Sequence, residues 1–142
     1  MILPDVNVLV YAFREDVSQH RLCRAWLDGI VAGDARFGLS PLTLSAVVRI
    51  TTDARIFPTP SALDEAFGYC TDLLAQPRCQ IVEPGERHFD IFRRLCLDTD
   101  TRGRRVTDAW FAALAIEWGC EWITLDRDFA RFPGLRWQMP TA

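Results

Sequence analysis

Apolar residues in this chain fall into two rhythms, short solid runs and longer stripes at every third or fourth position. The run ILP at 2–4 reads as a short buried strand that passes straight into Asp5 and a short helix over 6–13. Over 19–31, Cys23, Trp26, Leu27 and Ile30 recur at i, i+3, i+4 and i+7, which predicts a helix with Ser18 as its N-cap. Residues 36–39 form a second strand candidate. Ser40-Pro41 is a cap followed by proline at the first helical position, opening a helix to about Thr52. The segment RIFPTPS at 55–61 is a proline-broken connection. Within it, Thr59-Pro60 predicts the cap and first turn of a helix striped by Leu63, Ala66, Phe67, Cys70 and Leu74, ending near Gln76-Pro77.

Residues 80–82 form a third strand candidate, and Pro84-Gly85 punctuates the chain before a helix over 86–97 with Phe89, Phe92 and Cys96 along one side. The polar loop LDTDTRGRRVTD follows. Ala109, Ala112, Ala113 and Ile116 then mark another helical face, closed by Gly119. A strand over 122–125, a short helix or turn over 126–132 and a last edge strand over 135–138 complete the pattern. Short strands alternating with helices predict a single α/β domain over 1–142 with a short-stranded, mainly parallel central sheet.

Composition narrows what such a domain does. At 142 residues and 49% hydrophobic, the chain is of a size to bury one substantial core. No apolar run is long enough to cross a bilayer. The N-terminus lacks the basic flank and apolar core of a secretory signal, so a soluble, cytoplasmic protein without membrane partners is expected. The five cysteines are odd in number and form no C-x-x-C pair, so neither a zinc cage nor a disulfide framework is signalled. Reduced, buried thiols are expected. A net charge of −3 argues against nucleic-acid binding through global basicity and leaves local patches open. All 16 basic residues are arginine. Without lysine, a P-loop and Schiff-base chemistry are both excluded.

Carboxylates carry the candidate chemistry. In open parallel sheets, ligands sit outside the carboxyl ends of the strands. Asp5 follows the first strand, Asp126 and Asp128 follow the strand WITL, and Asp108 opens the alanine-rich helix that feeds that same strand. Each has an ordinary structural reading: Asp5 as an N-cap, Asp108 as a helix-dipole partner, Asp126-Arg127-Asp128 as a self-capped turn. Together they place like charges from distant segments at one sheet edge, which calls for a cation. Oxygen-only donors favour Mg²⁺ or Mn²⁺, metals suited to phosphoryl chemistry. His20 and His88 are isolated and match no metal spacing.

PDVNVLVYA at the start, VTDAWFAALAIEWGCEWITLDRDF near the end and the α/β pattern between them resemble the PIN-domain ribonucleases, specifically the VapC-type toxins of bacterial toxin–antitoxin modules. The resemblance spans essentially the whole chain. It implies a three-layer α/β/α fold and Mg²⁺- or Mn²⁺-dependent endonucleolytic cleavage of RNA, with 5′-phosphate and 3′-hydroxyl products. It places the metal-holding catalytic acids at Asp5, Asp108 and Asp126, with Asp128 as a further candidate and Asn7 and Thr124 as supporting polar groups. It also implies a VapB-type antitoxin that occludes the acidic site, and a homodimer. Trp26 or Ile56-Phe57 could serve the core or either of those surfaces.

One position departs from the family pattern: Ala46, in LTLSAVVRI, stands where family members usually place a Glu. Ser45 and Asp53 are the nearby residues that could compensate. Arg102, Arg104 and Arg105, just before Asp108, are candidates for the RNA backbone, and Arg14, Arg127 and Arg131 could join them. Two other readings stay open. A haloacid-dehalogenase-like phosphatase also starts from a strand and D-x-D, but here the second Asp is Asn7 and the phosphate-holding lysine is missing. The other is a catalytically impaired PIN-like module that binds RNA or an antitoxin.

Overall fold

The computed structural model describes residues 1–141. Five short strands form one parallel sheet: β1 (Ile2–Pro4), β2 (Phe37–Leu39), β3 (Cys79–Ile81), β4 (Glu121–Ile123) and β5 (Trp137–Gln138), in the order β3-β2-β1-β4-β5. The helices are α1 (Val6–Phe13), α2 (His20–Ala32), α3 (Pro41–Thr51), α4 (Leu63–Leu74), α5 (His88–Thr99) and α6 (Val106–Trp118). A sheet covered on both faces needs solid apolar strands, and side chains alternate between two cores accordingly. Ile2, Phe37, Leu39 and Ile123 pack with α1 to α4 on one face. Leu3, Val82 and Trp122 pack with α5 and α6 on the other. The result is the expected three-layer α/β/α arrangement.

Gly38 in β2 is set by close approach. A Cβ there would lie 2.6 Å from Val82 Cγ2 and 3.3 Å from Leu3 Cδ1. Helix α6 is buried nearly all round, through Ala109, Phe111, Ala112, Ala113, Leu114 and Ala115. Its alanines let it lie close to the sheet. Gly119 closes it at φ 66°, the left-handed conformation that glycine adopts without penalty. Because α6 leads into the start of β4, its own first turn lies at the carboxyl edge of the sheet.

Three local expectations differ. Ser18 does not cap α2: its hydroxyl meets the Gln19 side chain, and the helix starts at His20. Thr59-Pro60 does not open α4, which starts at Leu63. The Thr59 carbonyl is taken by Arg14, and the Ser61 N–H by the Thr51 carbonyl, so tertiary bonds replace the cap. The polar stretch 97–108 is mostly ordered into elements. Helix α5 runs to Thr99, Asp100 turns the chain at φ 51°, and a 3-10 turn over Gly103–Arg105 feeds α6. None of the five cysteines is paired, and burial pushes the Cys23 thiol up to about 11. Among the described residues no helix is long and apolar enough to cross a membrane.

Candidate functional site

The chain proceeds from β1 to β2 and β3 in one direction, then returns to β4 and β5 on the other side of β1. The crevice between β1 and β4 is therefore the topological switch point, the place where such sheets bind ligands. Asp5 stands at its mouth. Its N–H extends the ladder by donating to the Ile123 carbonyl at 2.8 Å. Its side chain caps α1, with Oδ1 accepting from Val6 N–H at 2.7 Å. Capping α1 and standing at the switch point are thus one geometry.

Thr124, fully buried just past β4, organises the crevice. Its Oγ1 donates to Asp5 Oδ2 at 2.7 Å and accepts from Asp126 N–H at 3.0 Å and Asn7 Nδ2 at 3.3 Å. Asn7 also donates to Asp5 Oδ2 at 3.3 Å, and its Oδ1 accepts from Leu125 N–H at 3.4 Å. The one hydroxyl thus reaches the Asp5 carboxylate and the Asp126 backbone.

Burial pushes the Asp5 carboxyl up to about 6. The Thr124 and Val6 hydrogen bonds oppose that rise, and the charges of Asp108 and Asp126 add to it. Asp108, in the first turn of α6, is also raised, first by burial; Arg131 lowers it and Asp126 raises it. Asp126 caps the 3-10 turn after β4 and accepts from Asp128 N–H at 2.9 Å. Asp5, Asp108 and Asp126, more than a hundred residues apart at their extremes, therefore act on one another electrostatically. Asp128 is held by an arginine. It is exposed and ion-paired with Arg105 at 2.8 Å, which holds its carboxyl below the usual range.

The donors are all hard oxygens, which fits Mg²⁺ or Mn²⁺ in kind. Among the described residues, no group of three or more His, Cys, Asp or Glu is drawn together as a formed metal cage. In this arrangement the outer acids lean on arginine instead, with Arg131 Nη2 at 3.6 Å from Asp108 Oδ2.

Ala46 is half-buried in the second turn of α3 and offers no donor. Neither nearby residue replaces it. Ser45 is exposed on the apolar groove between α3 and α4. Asp53 lies beyond the far end of α3, roughly 16 Å along the axis from the sheet edge, and is held by Arg55. Arg14 is committed as a strut: it binds Asp16, Ser61 and the Thr59 carbonyl and stacks on Phe57 at 4.3 Å. Arg102 pairs with Asp100, while Arg104 is exposed on the 3-10 turn. His20 and His88 each bond a backbone carbonyl, of Tyr11 and Trp110. Trp26 and Phe57 are buried in the core, whereas Ile56 is half exposed. The pairing of Arg131 with Asp108 and of Arg105 with Asp128 was the element that sequence spacing did not single out.

Residues 2–135 match the family model described as PIN domain. The chain is 40% identical over 140 residues to the VapC ribonuclease Mb2897 of Mycobacterium bovis, covering 99% of this chain and 95% of that protein. It is 41% identical over 136 residues to ribonuclease VapC25 of Mycobacterium tuberculosis, covering 96% of each. Among solved structures it is similar in fold to VapBC2 from Rickettsia felis, determined bound to a DNA fragment from its promoter, with a TM-score of 0.72, 16% identity and 98% of both chains covered.

Proposed function

The chain belongs to the PIN-domain family, among its VapC ribonucleases, and from that premise we propose that it is a toxin endoribonuclease. It hydrolyses RNA phosphodiester bonds with Mg²⁺ or Mn²⁺, and a VapB-type antitoxin holds it in check. Membership of this family also removes the phosphatase alternative. The observation that carries the proposal is the convergence at the switch point: Asp5 is buried there, one Thr124 hydroxyl bonds both its carboxylate and the Asp126 N–H, and Asp108 acts on it electrostatically.

Asp5, Asp108 and Asp126 are the residues that would hold the cation. When bound, it lowers the pKa of a water and steadies the charge that develops on the phosphate. Thr124 and Asn7 fix the Asp5 carboxylate and the backbone of Asp126, so two of the acids are positioned by the same hydroxyl. Each carboxylate oxygen has more than one lone pair, so the bonds from Val6, Thr124 and Asn7 leave Asp5 able to accept further. Among the described residues neither histidine bonds an acid of the crevice, each meeting a backbone carbonyl instead, so the carboxylates are the candidate bases there. Asp128 serves by holding Arg105 rather than as a ligand. Arg102, Arg104 and Arg105 are candidates to meet the RNA backbone on an otherwise acidic protein.

The test is incubation of the free protein with structured RNAs, with and without Mn²⁺. Cleavage that needs the metal, leaves 5′-phosphate and 3′-hydroxyl ends and is lost in Asp108→Asn and Asp126→Asn supports the proposal. Cyclic-phosphate ends overturn it, since they show attack by the RNA's own 2′-hydroxyl. A second reading, an impaired PIN module that binds RNA or antitoxin without cutting, is favoured by Ala46 in place of a carboxylate. It predicts no metal-dependent cleavage at any cation concentration. Sedimentation of the purified chain, alone and with the antitoxin, tests the homodimer that belongs to the same proposal.

A further inference from the structure

Next to the acids lies a cavity of about 420 Å³ whose charged lining is Arg102, Arg105 and Arg131 against Asp100 and Asp128. We propose that this cavity is a phosphate subsite, taking a phosphodiester of the RNA chain beside the one that is cut, with Arg131 as its principal donor and Arg105 as its second. The proposal rests on the ribonuclease reading above.

Arg131 is the reason. Its Nη1 donates to the Asp128 carbonyl at 2.8 Å, and its guanidinium lies 4.3 Å over the Phe132 ring. Those two contacts fix the plane of the fork. Its Nη2 is buried yet makes no hydrogen bond. Asp108 Oδ2, at 3.6 Å, supplies charge and is too far to accept. A guanidinium nitrogen buried without an acceptor is costly; Arg131 lines the cavity, and a shift of its side chain toward it would give Nη2 a phosphate oxygen as acceptor, matched to the fork in shape and charge.

The other cations are held loosely enough to join. Arg105 meets Asp128 at 2.8 Å, but both side chains are about half exposed, so the pair contributes little to stability and can exchange partners. Arg102 sits at the rim with Asp100, still more exposed. The left-handed turn at Asp100 and the 2.6 Å contact between the Thr99 and Thr101 hydroxyls fix the backbone that carries Arg102. Because Arg131 bridges this cavity and Asp108, an RNA strand with its reacting phosphate at the acids runs directly into the cavity.

The experiment measures binding in chelator, where metal-dependent cleavage is stopped. Fluorescence anisotropy follows a short, labelled single-stranded RNA of mixed sequence across a salt series, and then the same RNA with one phosphate at a time made a neutral methylphosphonate. Arg131→Gln is expected to weaken binding roughly tenfold and to lower the salt slope by about one. One methylphosphonate position should weaken binding to the wild type and have no effect on the variant. Arg131→Lys should keep the slope and lose part of the affinity, because it keeps charge without the fork. Arg105→Gln, a surface change, guards against misfolding of the Arg131 variants and is expected to act in the same direction more weakly. If folded Arg131→Gln and Arg105→Gln bind every RNA like the wild type, the arginines are only internal counter-charges for Asp108 and Asp128, and the subsite is overturned. Wild type that still cuts RNA in Mn²⁺ under that result leaves the ribonuclease reading standing. Wild type that neither binds nor cuts overturns both.

Discussion

Replacing Asp5 with asparagine should make the metal-free protein more stable while abolishing cleavage. The Asp5 carboxyl has an ordinary value of 3.8 and reaches about 6 in the folded chain. Between those pH values the folded state keeps a proton that the unfolded chain has released. Stability from this group is therefore full below about pH 4 and falls as pH rises through about 6. At about 1.4 kcal/mol for each tenfold change, the whole loss is about 3 kcal/mol. The asparagine would not titrate, and its amide oxygen could still accept from Val6 N–H. Its amide nitrogen would meet Thr124 less well than the carboxylate does, which costs about 1 kcal/mol. In chelator near pH 8, Asp5→Asn should thus exceed the wild type by about 1–3 kcal/mol, with the difference shrinking toward pH 4. Urea unfolding followed by the fluorescence of the five tryptophans reads this directly. Mg²⁺ added near pH 8 should stabilise the wild type more than the variant, because it binds the carboxylate only in the folded state. A difference that is constant with pH, or a variant less stable than wild type near pH 8, would refute the claim that Asp5 is held at an electrostatic cost.

Thr124→Val keeps the volume and removes the hydroxyl that serves Asp5, Asn7 and Asp126. It should cost about 1–3 kcal/mol in urea unfolding, and it should move the acid limb of the cleavage profile to higher pH, since that bond is the largest influence lowering the Asp5 carboxyl. An unmoved limb would remove Asp5 from the rate. Gly38→Ala should lose about 1–3 kcal/mol through overpacking against Val82, and Val82→Ala in the same chain should restore part of it in thermal melts. Ala46→Glu should tighten Mn²⁺ binding several-fold by calorimetry, since hard-cation affinity follows the number of charged ligands; unchanged affinity would show that position 46 does not face the cation.

Much of this site is legible in the sequence because its members sit at element boundaries. Asp5 ends an apolar run, Asp108 opens an alanine-rich helix and Asp126 ends the run WITL, and a parallel sheet brings such boundaries to one edge. Local chemistry alone is a weaker guide. Ser18 and Thr59-Pro60 have the composition of helix starts, but at Thr59 the long-range demand of Arg14 takes the polar groups first. Asp53 is near Ala46 in sequence, yet a helix of eleven residues separates it from the sheet edge. The Arg105–Asp128 pair joins residues 23 apart across α6 and the strand β4, a distance at which spacing carries no signal.

How the arginines are distributed explains why Asp5 stays under electrostatic load. Asp108 has Arg131 beside it and Asp128 has Arg105. Asp5, the most buried of the acids, receives a hydroxyl, a side-chain amide and a backbone N–H, all neutral donors. An arginine placed on Asp5 would relieve its burial and would also fill the crevice with fixed positive charge. Neutral donors orient the carboxylate and leave most of its charge unspent. Under the proposed function, such a site would keep its central charge for a mobile cation and its fixed cations at the flank, where a polyanionic strand would lie. That division of labour also predicts which substitutions separate binding from cutting: changes at Arg131 and Arg105 act on RNA affinity and salt dependence, and changes at Asp5 and Thr124 act on the metal and the pH profile.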